Sequence, residues 1–308
     1  MHGGSADVRS PELIEFHLRM TLTSRMIETS RGTFHVRRAG VPGAPVLLLL
    51  HGWPQSSYCW QPVARALADR FDLVMPDLRG LGDSPRTLEP LAYTKQALAG
   101  DVLAVMETLA IERCTLIGHD WGGAVAQELA FAAPGRIQRL VLLNILVLAN
   151  SRGNRAARAA LAAVGNRPMW YQFFQHANGL PEAMIPGNEA AWLGYFLKTW
   201  SRSGFPAAAF DEYVRCYAIE HTPATGAAYY RCHKADSARW RELAGRRLTM
   251  PALYIHGRHD PVIVSEFTHH LDDVFEDIRL ETLDAAHFVA EECPDAVARL
   301  IGCFAEGG

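Results

Sequence analysis

Short apolar runs separated by stretches of helical periodicity dominate the first half of the chain. Val46 to Leu50, Leu73 to Met75, Cys114 to Ile117 and Leu140 to Leu143 are almost wholly apolar, as expected of parallel strands covered on both faces. Thr33 to Val36 reads as a further strand ahead of them. Ala64 to Asp69, Thr94 to Leu109 and Gly122 to Ala133 repeat their apolar positions at about 3.6 residues, and Pro134-Gly135 ends the third. The alternation predicts βαβ units in a mostly parallel, doubly wound α/β sheet.

The rhythm changes after Leu143. Residues 150 to 245 contain no clear strand and are rich in alanine and aromatic residues, Trp170, Trp192, Trp200 and Trp240 among them. This predicts an inserted helical cap with its aromatics facing a cleft. Ala252 to His256 then resumes a buried strand, Ser265 to Leu271 reads as a helix, Ile278 to Leu283 as a strand and Pro294 to Phe304 as a closing helix. The expected organisation is an α/β core built from residues 1–149 and 246–308 and interrupted by a cap over 150–245.

Composition narrows the partners. With 308 residues, 49% of them hydrophobic, the chain has ample material for a large core. Lys+Arg 30 against Asp+Glu 33 leaves a net charge of -3 and no positive field for a nucleic acid backbone. Met1 to Met20 is mixed and charged, without the unbroken apolar stretch of a secretory signal, and no run approaches the ~18 apolar residues of a membrane span. A cytoplasmic location is expected. Six cysteines lie scattered without a CxxC pair, so free thiols are expected and no zinc or redox motif.

The most informative segment is Gly118-His119-Asp120-Trp121-Gly122, where a strand runs into a helix. Small residues on both sides permit the sharp turn that lifts a central nucleophile above the sheet. Here that residue is Asp120, although an aspartate at this place could also simply cap the helix. A carboxylate nucleophile can displace a leaving group from an sp³ carbon and form an alkyl ester. At the end of an earlier strand, His51-Gly52-Trp53-Pro54 supplies a glycine turn, so the backbone N–H groups of Trp53 and Trp121 are candidate oxyanion donors. Asp260 and His287 each follow a later strand, at the carboxyl edge that gathers catalytic groups in open α/β sheets. Nucleophile, acid, histidine is the chain order of a hydrolase triad, with His287 as base and Asp260 as its orienting acid.

Together these residues resemble the α/β-hydrolase superfamily over nearly the whole chain. Asp77-Leu-Arg-Gly-Leu-Gly-Asp-Ser84 is similar to that superfamily's structural loop after the second parallel strand. His51-Gly-Trp-Pro and His119-Asp-Trp-Gly-Gly resemble the Asp-nucleophile branch that holds epoxide hydrolases and haloalkane dehalogenases. Trp170-Tyr171-Gln-Phe-Phe and Ala228-Tyr229-Tyr230-Arg231 look like the two cap segments of epoxide hydrolases, each carrying a tyrosine that activates the epoxide oxygen. By position these are Tyr171 and Tyr230, with Tyr229 the fallback.

The resemblance implies an epoxide hydrolase acting on a small apolar epoxide and water, with no cofactor and no metal, and it leaves a homodimer open. Departures bear on the alternatives. Haloalkane dehalogenases pair an indole N–H at the place of Trp121 with an asparagine after the His-Gly, where this chain has Trp53, or with a cap tryptophan. Haloacetate dehalogenases place arginines where this chain has Trp121 and Ala124, which disfavours a carboxylate beside the nucleophile. A hydrolase fold reduced to ligand binding is the non-enzyme alternative, disfavoured by the intact set of nucleophile, acid, base and oxyanion turn.

Overall fold

The leucine run 47–50 has no exposed surface on either face, which requires layers above and below it. In the computed structural model, which describes residues 22–308, this run is the centre of an eight-stranded sheet. The reading of Met1 to Met20 lies outside the described residues. The strands are β1 (Thr23–Thr29), β2 (Gly32–Gly40), β3 (Val46–Leu50), β4 (Asp72–Pro76), β5 (Cys114–His119), β6 (Ile137–Leu143), β7 (Ala252–Gly257) and β8 (Ile278–Leu283). Their order is β1-β2-β4-β3-β5-β6-β7-β8, antiparallel through the first three and parallel from β4 onward. Leu48 of β3 lies beside Val74 of β4 and Leu116 of β5.

Helices α1 (Gln61–Leu67), α2 (Lys95–Thr108), α3 (Trp121–Ala132), α11 (Val289–Glu292) and α12 (Pro294–Ala305) belong to the sheet layers. The Thr94 hydroxyl caps α2 by accepting from the Ala97 amide at 3.2 Å. Between β6 and β7 the chain forms seven helices: α4 (Ser151–Ala163), α5 (Trp170–His176), α6 (Leu180–Met184), α7 (Glu189–Thr199), α8 (Ala207–Tyr217), α9 (Thr222–Arg231) and α10 (His233–Leu243). None of the described helices is long and apolar enough to cross a membrane. All six cysteines are free thiols.

Two local readings need correction. The helix expected over Ser265 to Leu271 is instead two short 3₁₀ turns, Ser265–Thr268 and Leu271–Asp273. His269 between them is extended, and His270 is left-handed at φ 58°, so the helical ladder is cut there. Strand β1 was not expected because only Ile27 of its seven residues is buried. Its place depends on pairing with β2 through the Ser30-Arg31 turn.

The loop after β4 is organised by one carboxylate. Asp77 Oδ1 accepts from the Ser57 amide at 2.7 Å, and its Oδ2 accepts from the Asp83 amide at 2.9 Å and meets His35 Nδ1 at 2.7 Å. Gly82 is left-handed at φ 55°, and a Cβ there would lie 2.1 Å from Asp77 Oδ2, so glycine is required. Burial works to raise the Asp77 carboxyl, but its contacts with His35 and His51 outweigh burial and hold it well below the usual range.

Asp77→Ala should lower the unfolding free energy by about 3 kcal/mol, because it strands several buried donors. A folded pKa below the unfolded one gives stability that is fully present above about pH 4 and is lost only as pH falls through the folded value. Urea titrations should therefore show the same wild-type advantage at about pH 5 and pH 8. An advantage that disappears at the lower pH would overturn this account.

Candidate active site

Asp120 stands at the turn from β5 into α3 with φ 48° and ψ −129°, a conformation that L residues adopt only under constraint. Three glycines make the turn possible by close approach. A Cβ on Gly52 would fall 2.3 Å from Asp120 Cβ, one on Gly118 would fall 2.5 Å from the Gly122 carbonyl, and one on Gly122 would fall 2.3 Å from the His51 carbonyl. The G-x-D-x-G spacing and the His51-Gly52 turn are thus halves of one packed unit.

Asp120 Oδ1 accepts from the Trp53 amide at 2.8 Å, and the carboxylate makes no capping hydrogen bond to α3. Of the two amides expected to point into the site, that of Trp53 reaches the carboxylate, while that of Trp121 stands next to it in the chain without a hydrogen bond to it. Oδ2 lies 3.7 Å from His287 Nε2. The His287 ring is fully buried, and its Nδ1 lies 2.7 Å from Asp260 Oδ2. Because a carboxylate only accepts, Nδ1 carries the proton, and Nε2 is left as a buried nitrogen with no hydrogen-bond partner. The structure thus brings Asp120, His287 and Asp260 into one line.

The two acids have different environments. Burial raises the Asp120 carboxyl, and the His287 charge and the Trp121 and Trp53 amides only partly counter it, so it is pushed up to about 6. Burial also acts to raise Asp260, but the His287 charge, its hydrogen bond and the Asn144 side chain win and hold it below the usual range. For His287, burial works against the charged form, while Asp260 and then Asp120 favour it strongly enough to raise it.

Several contributors were not anticipated from sequence. Asn144, left-handed at φ 42° just after β6, donates from Nδ2 to Asp260 Oδ2 at 2.6 Å and to the Ala286 carbonyl at 3.2 Å, and accepts from the Gly257 amide at 3.0 Å. Its signal was available, since it is a polar residue at the carboxyl end of an apolar parallel strand. Trp200 accepts the His287 amide at its carbonyl, 3.0 Å away, and its ring lies 5.3 Å from the imidazole. His119 Nε2 donates to the His287 carbonyl at 2.8 Å.

The helical insert supplies the remaining wall. Tyr171 of α5 stacks on Trp53 with ring centres 5.7 Å apart, and Tyr230 of α9 meets Trp53 at 5.6 Å, Trp121 at 5.5 Å and Tyr171 at 5.5 Å. Both phenols are buried and raised by that burial, with the Asp120 charge acting in the same direction, so both keep their protons. Tyr229 is directed elsewhere, for its hydroxyl donates to the Arg79 carbonyl at 2.8 Å. A cavity of about 310 Å³ reaches Trp121 and Tyr230 from the insert side. A larger one of about 760 Å³ lies between residues 87–93 and helices α9 and α10, and no member of the Asp120 site lines it.

Two described groups could offer metal ligands, His35–Asp77–Asp83 and Asp83–Glu212–Cys216. In the first, Asp77 is already held by His35 and the Asp83 amide; in the second, Arg215 engages both carboxylates at 2.8 Å.

Residues 45–294 match the family described as alpha/beta hydrolase fold. Epoxide hydrolase A of Mycobacterium tuberculosis is 27% identical over 315 residues, covering 92% of this chain and 98% of the relative. The fluoroacetate dehalogenase of a Burkholderia species is 29% identical over 83% of this chain and 86% of its own. The solved structure of epoxide hydrolase CorEH superposes with a TM-score of 0.74 at 27% identity, covering 91% of this chain and 97% of that one.

A carboxyl raised by folding binds its proton more tightly in the folded state, so its charge lowers stability, increasingly between about pH 4 and pH 6 and fully above that. A shift of about two pH units corresponds to about 3 kcal/mol. Asp120→Asn should therefore melt higher than wild type at about pH 8 and gain nothing at about pH 4. Equal gains at both pH values would mean that the Asp120 charge is not the source of the strain.

Proposed function

The chain belongs to the alpha/beta hydrolase fold family, and on that premise we propose that it is an epoxide hydrolase converting a small apolar epoxide and water into a vicinal diol. The observation that carries this reading is the pair of neutral, buried phenols of Tyr171 and Tyr230, in contact with each other, with Trp53, whose amide binds Asp120, and with Trp121, the residue after Asp120. An opening epoxide releases a strongly basic oxygen that needs an acid, and two phenol O–H groups supply one. The similarity to epoxide hydrolase A and CorEH supports the same choice.

With Oδ1 held by the Trp53 amide, Oδ2 of Asp120 is the attacking oxygen. It forms a C–O bond to one epoxide carbon as the ring C–O bond breaks, and the departing oxygen takes a proton from the tyrosine pair. The product is a hydroxyalkyl ester and one phenolate. His287 Nε2, with no protein hydrogen bond, then takes a proton from water as the hydroxide adds to the ester carbonyl. The Trp53 and Trp121 amides stabilise the oxyanion. Collapse restores the Asp120 carboxylate and releases the diol, and the proton held by His287 returns to the phenolate. Asp260 stabilises the imidazolium, and Asn144 fixes Asp260. Helices α4 to α10 act as the cap over this chemistry.

A second reading, haloalkane dehalogenation by the same nucleophile, is favoured by one observation. The Trp121 indole Nε1 is buried without a partner, the kind of donor a leaving halide uses. For haloacetates the chain lacks charged side chains at 121 and 124, where Trp121 and the buried Ala124 stand.

His287→Gln should still be alkylated but hydrolyse its ester about 100-fold or more slowly, so intact-protein mass spectrometry should show the substrate mass added to Asp120. Turnover at the native rate would remove His287 from the mechanism.

Tyr171→Phe and Tyr230→Phe should each slow alkylation by about 10-fold or more, and together nearly abolish it while the fold persists. Trp121→Phe should be tolerated, because its backbone amide remains. Normal epoxide opening by the double tyrosine variant, or selective loss of a robust halide release in Trp121→Phe, would establish the dehalogenase instead.

A further inference from the structure

Lys95, the first residue of α2, is a lysine with no exposed surface, a placement that is rare unless the charge is fully paired. Its ammonium lies 2.9 Å from Asp236 Oδ2 on α10, which is itself almost fully buried, and donates to the Tyr229 carbonyl on α9. It also sits 4.0 Å from the ring centre of Trp121. The backbone amide of Lys95 donates to Asp236 Oδ1 at 3.0 Å. The pair thereby satisfies two helix ends at once. The Tyr229 carbonyl belongs to the last turn of α9, and the Lys95 amide to the first turn of α2. Both are groups that a helix leaves unpaired, and each meets the charge that its helix dipole favours.

Stability alone does not account for this arrangement. A buried ion pair is often replaced by well-packed apolar side chains without loss, because desolvation offsets the attraction. What apolar groups cannot reproduce is the geometry. One ammonium holds the face of Trp121 on the core and the peptide next to Tyr230 on the insert, and the rings of Trp121 and Tyr230 are in contact. We propose that the Lys95–Asp236 pair positions the Tyr230 hydroxyl for epoxide opening by fastening α9 to the back of Trp121. It touches no reacting atom. This inference rests on the reading of Tyr230 as a proton donor.

The variant of choice is the apolar swap Lys95→Met with Asp236→Leu, which leaves no unpaired charge behind. Styrene oxide is the probe, and alkylation is followed by mass spectrometry in the His287→Gln background, where the ester accumulates. The swap should melt at or above the wild-type temperature yet slow alkylation about 10- to 100-fold. With His287 intact, ester hydrolysis should stay within about twofold. Adding Tyr230→Phe to the swap should cause little further slowing, because both changes disable the same donor. A merely structural role would instead slow both steps and add to the tyrosine effect.

Alkylation at the wild-type rate in the swap, or full additivity with Tyr230→Phe, overturns the inference while leaving the epoxide hydrolase reading intact. Unchanged alkylation in Tyr230→Phe alone overturns the role of that tyrosine and this inference with it. Should the swap fail to fold, Asp236→Asn keeps a side-chain oxygen for the Lys95 amide while removing the paired charge. It is expected to slow alkylation and spare hydrolysis, and the contrary result counts against the proposal.

Discussion

Asp120 can occupy its place only because the backbone on both sides of it comes closer than any side chain would permit. The left-handed turn at 120, the approach of Gly52 to its Cβ and the approach of Gly118 to Gly122 form one steric constraint. From that constraint follow the direction of the carboxylate, the distance to the Trp53 amide and the start of α3. The strain is local, and the buried strand β5 and the buried leucines of β3 beside it hold it in place.

The electrostatics of the site depend on the same placement. Two aspartates face one imidazole, and their surroundings push them apart. Asp260 receives the Val262 and Ile263 amides on one oxygen and Asn144 and His287 on the other. Asp120 has only the Trp53 amide on Oδ1 and faces the unpaired His287 nitrogen with Oδ2. An acid whose hydrogen bonds are all satisfied holds the imidazole, while one with a free oxygen in a desolvated site is available for bond formation. The difference lies in the count of donors rather than in residue type.

The insert is joined to this site through aromatic packing on Trp53. That indole is almost wholly buried, meets Tyr171, Phe196, Trp200 and Tyr230, and donates from Nε1 to the Tyr217 hydroxyl at 3.0 Å. Its backbone amide at the same time binds Asp120. One residue of the core turn therefore both donates to Asp120 and seats the tyrosine-bearing helices. Displacing the insert would be felt at Asp120.

What the sequence by itself determined is what short-range chemistry encodes. The apolar runs that need cover on both faces, the small residues flanking Asp120 and the polar residues just past strand ends fall within a few positions of one another. They were sufficient to assign the sheet, the elbow and the order of Asp120, Asp260 and His287. Pairing across the fold decided the rest. Strand β1 shows a single buried residue and exists through its partner β2. His270 breaks the helix expected over 265–271 by its left-handed backbone. Tyr229 and Tyr230 are adjacent and chemically alike, and only the Arg79 carbonyl, 150 residues away, draws the first from the site. Lys95 and Asp236 meet across 141 residues. Local sequence fixes which groups are able to react or pair, but a distant partner leaves no periodic trace along the chain, so the tertiary structure alone decides which of them do.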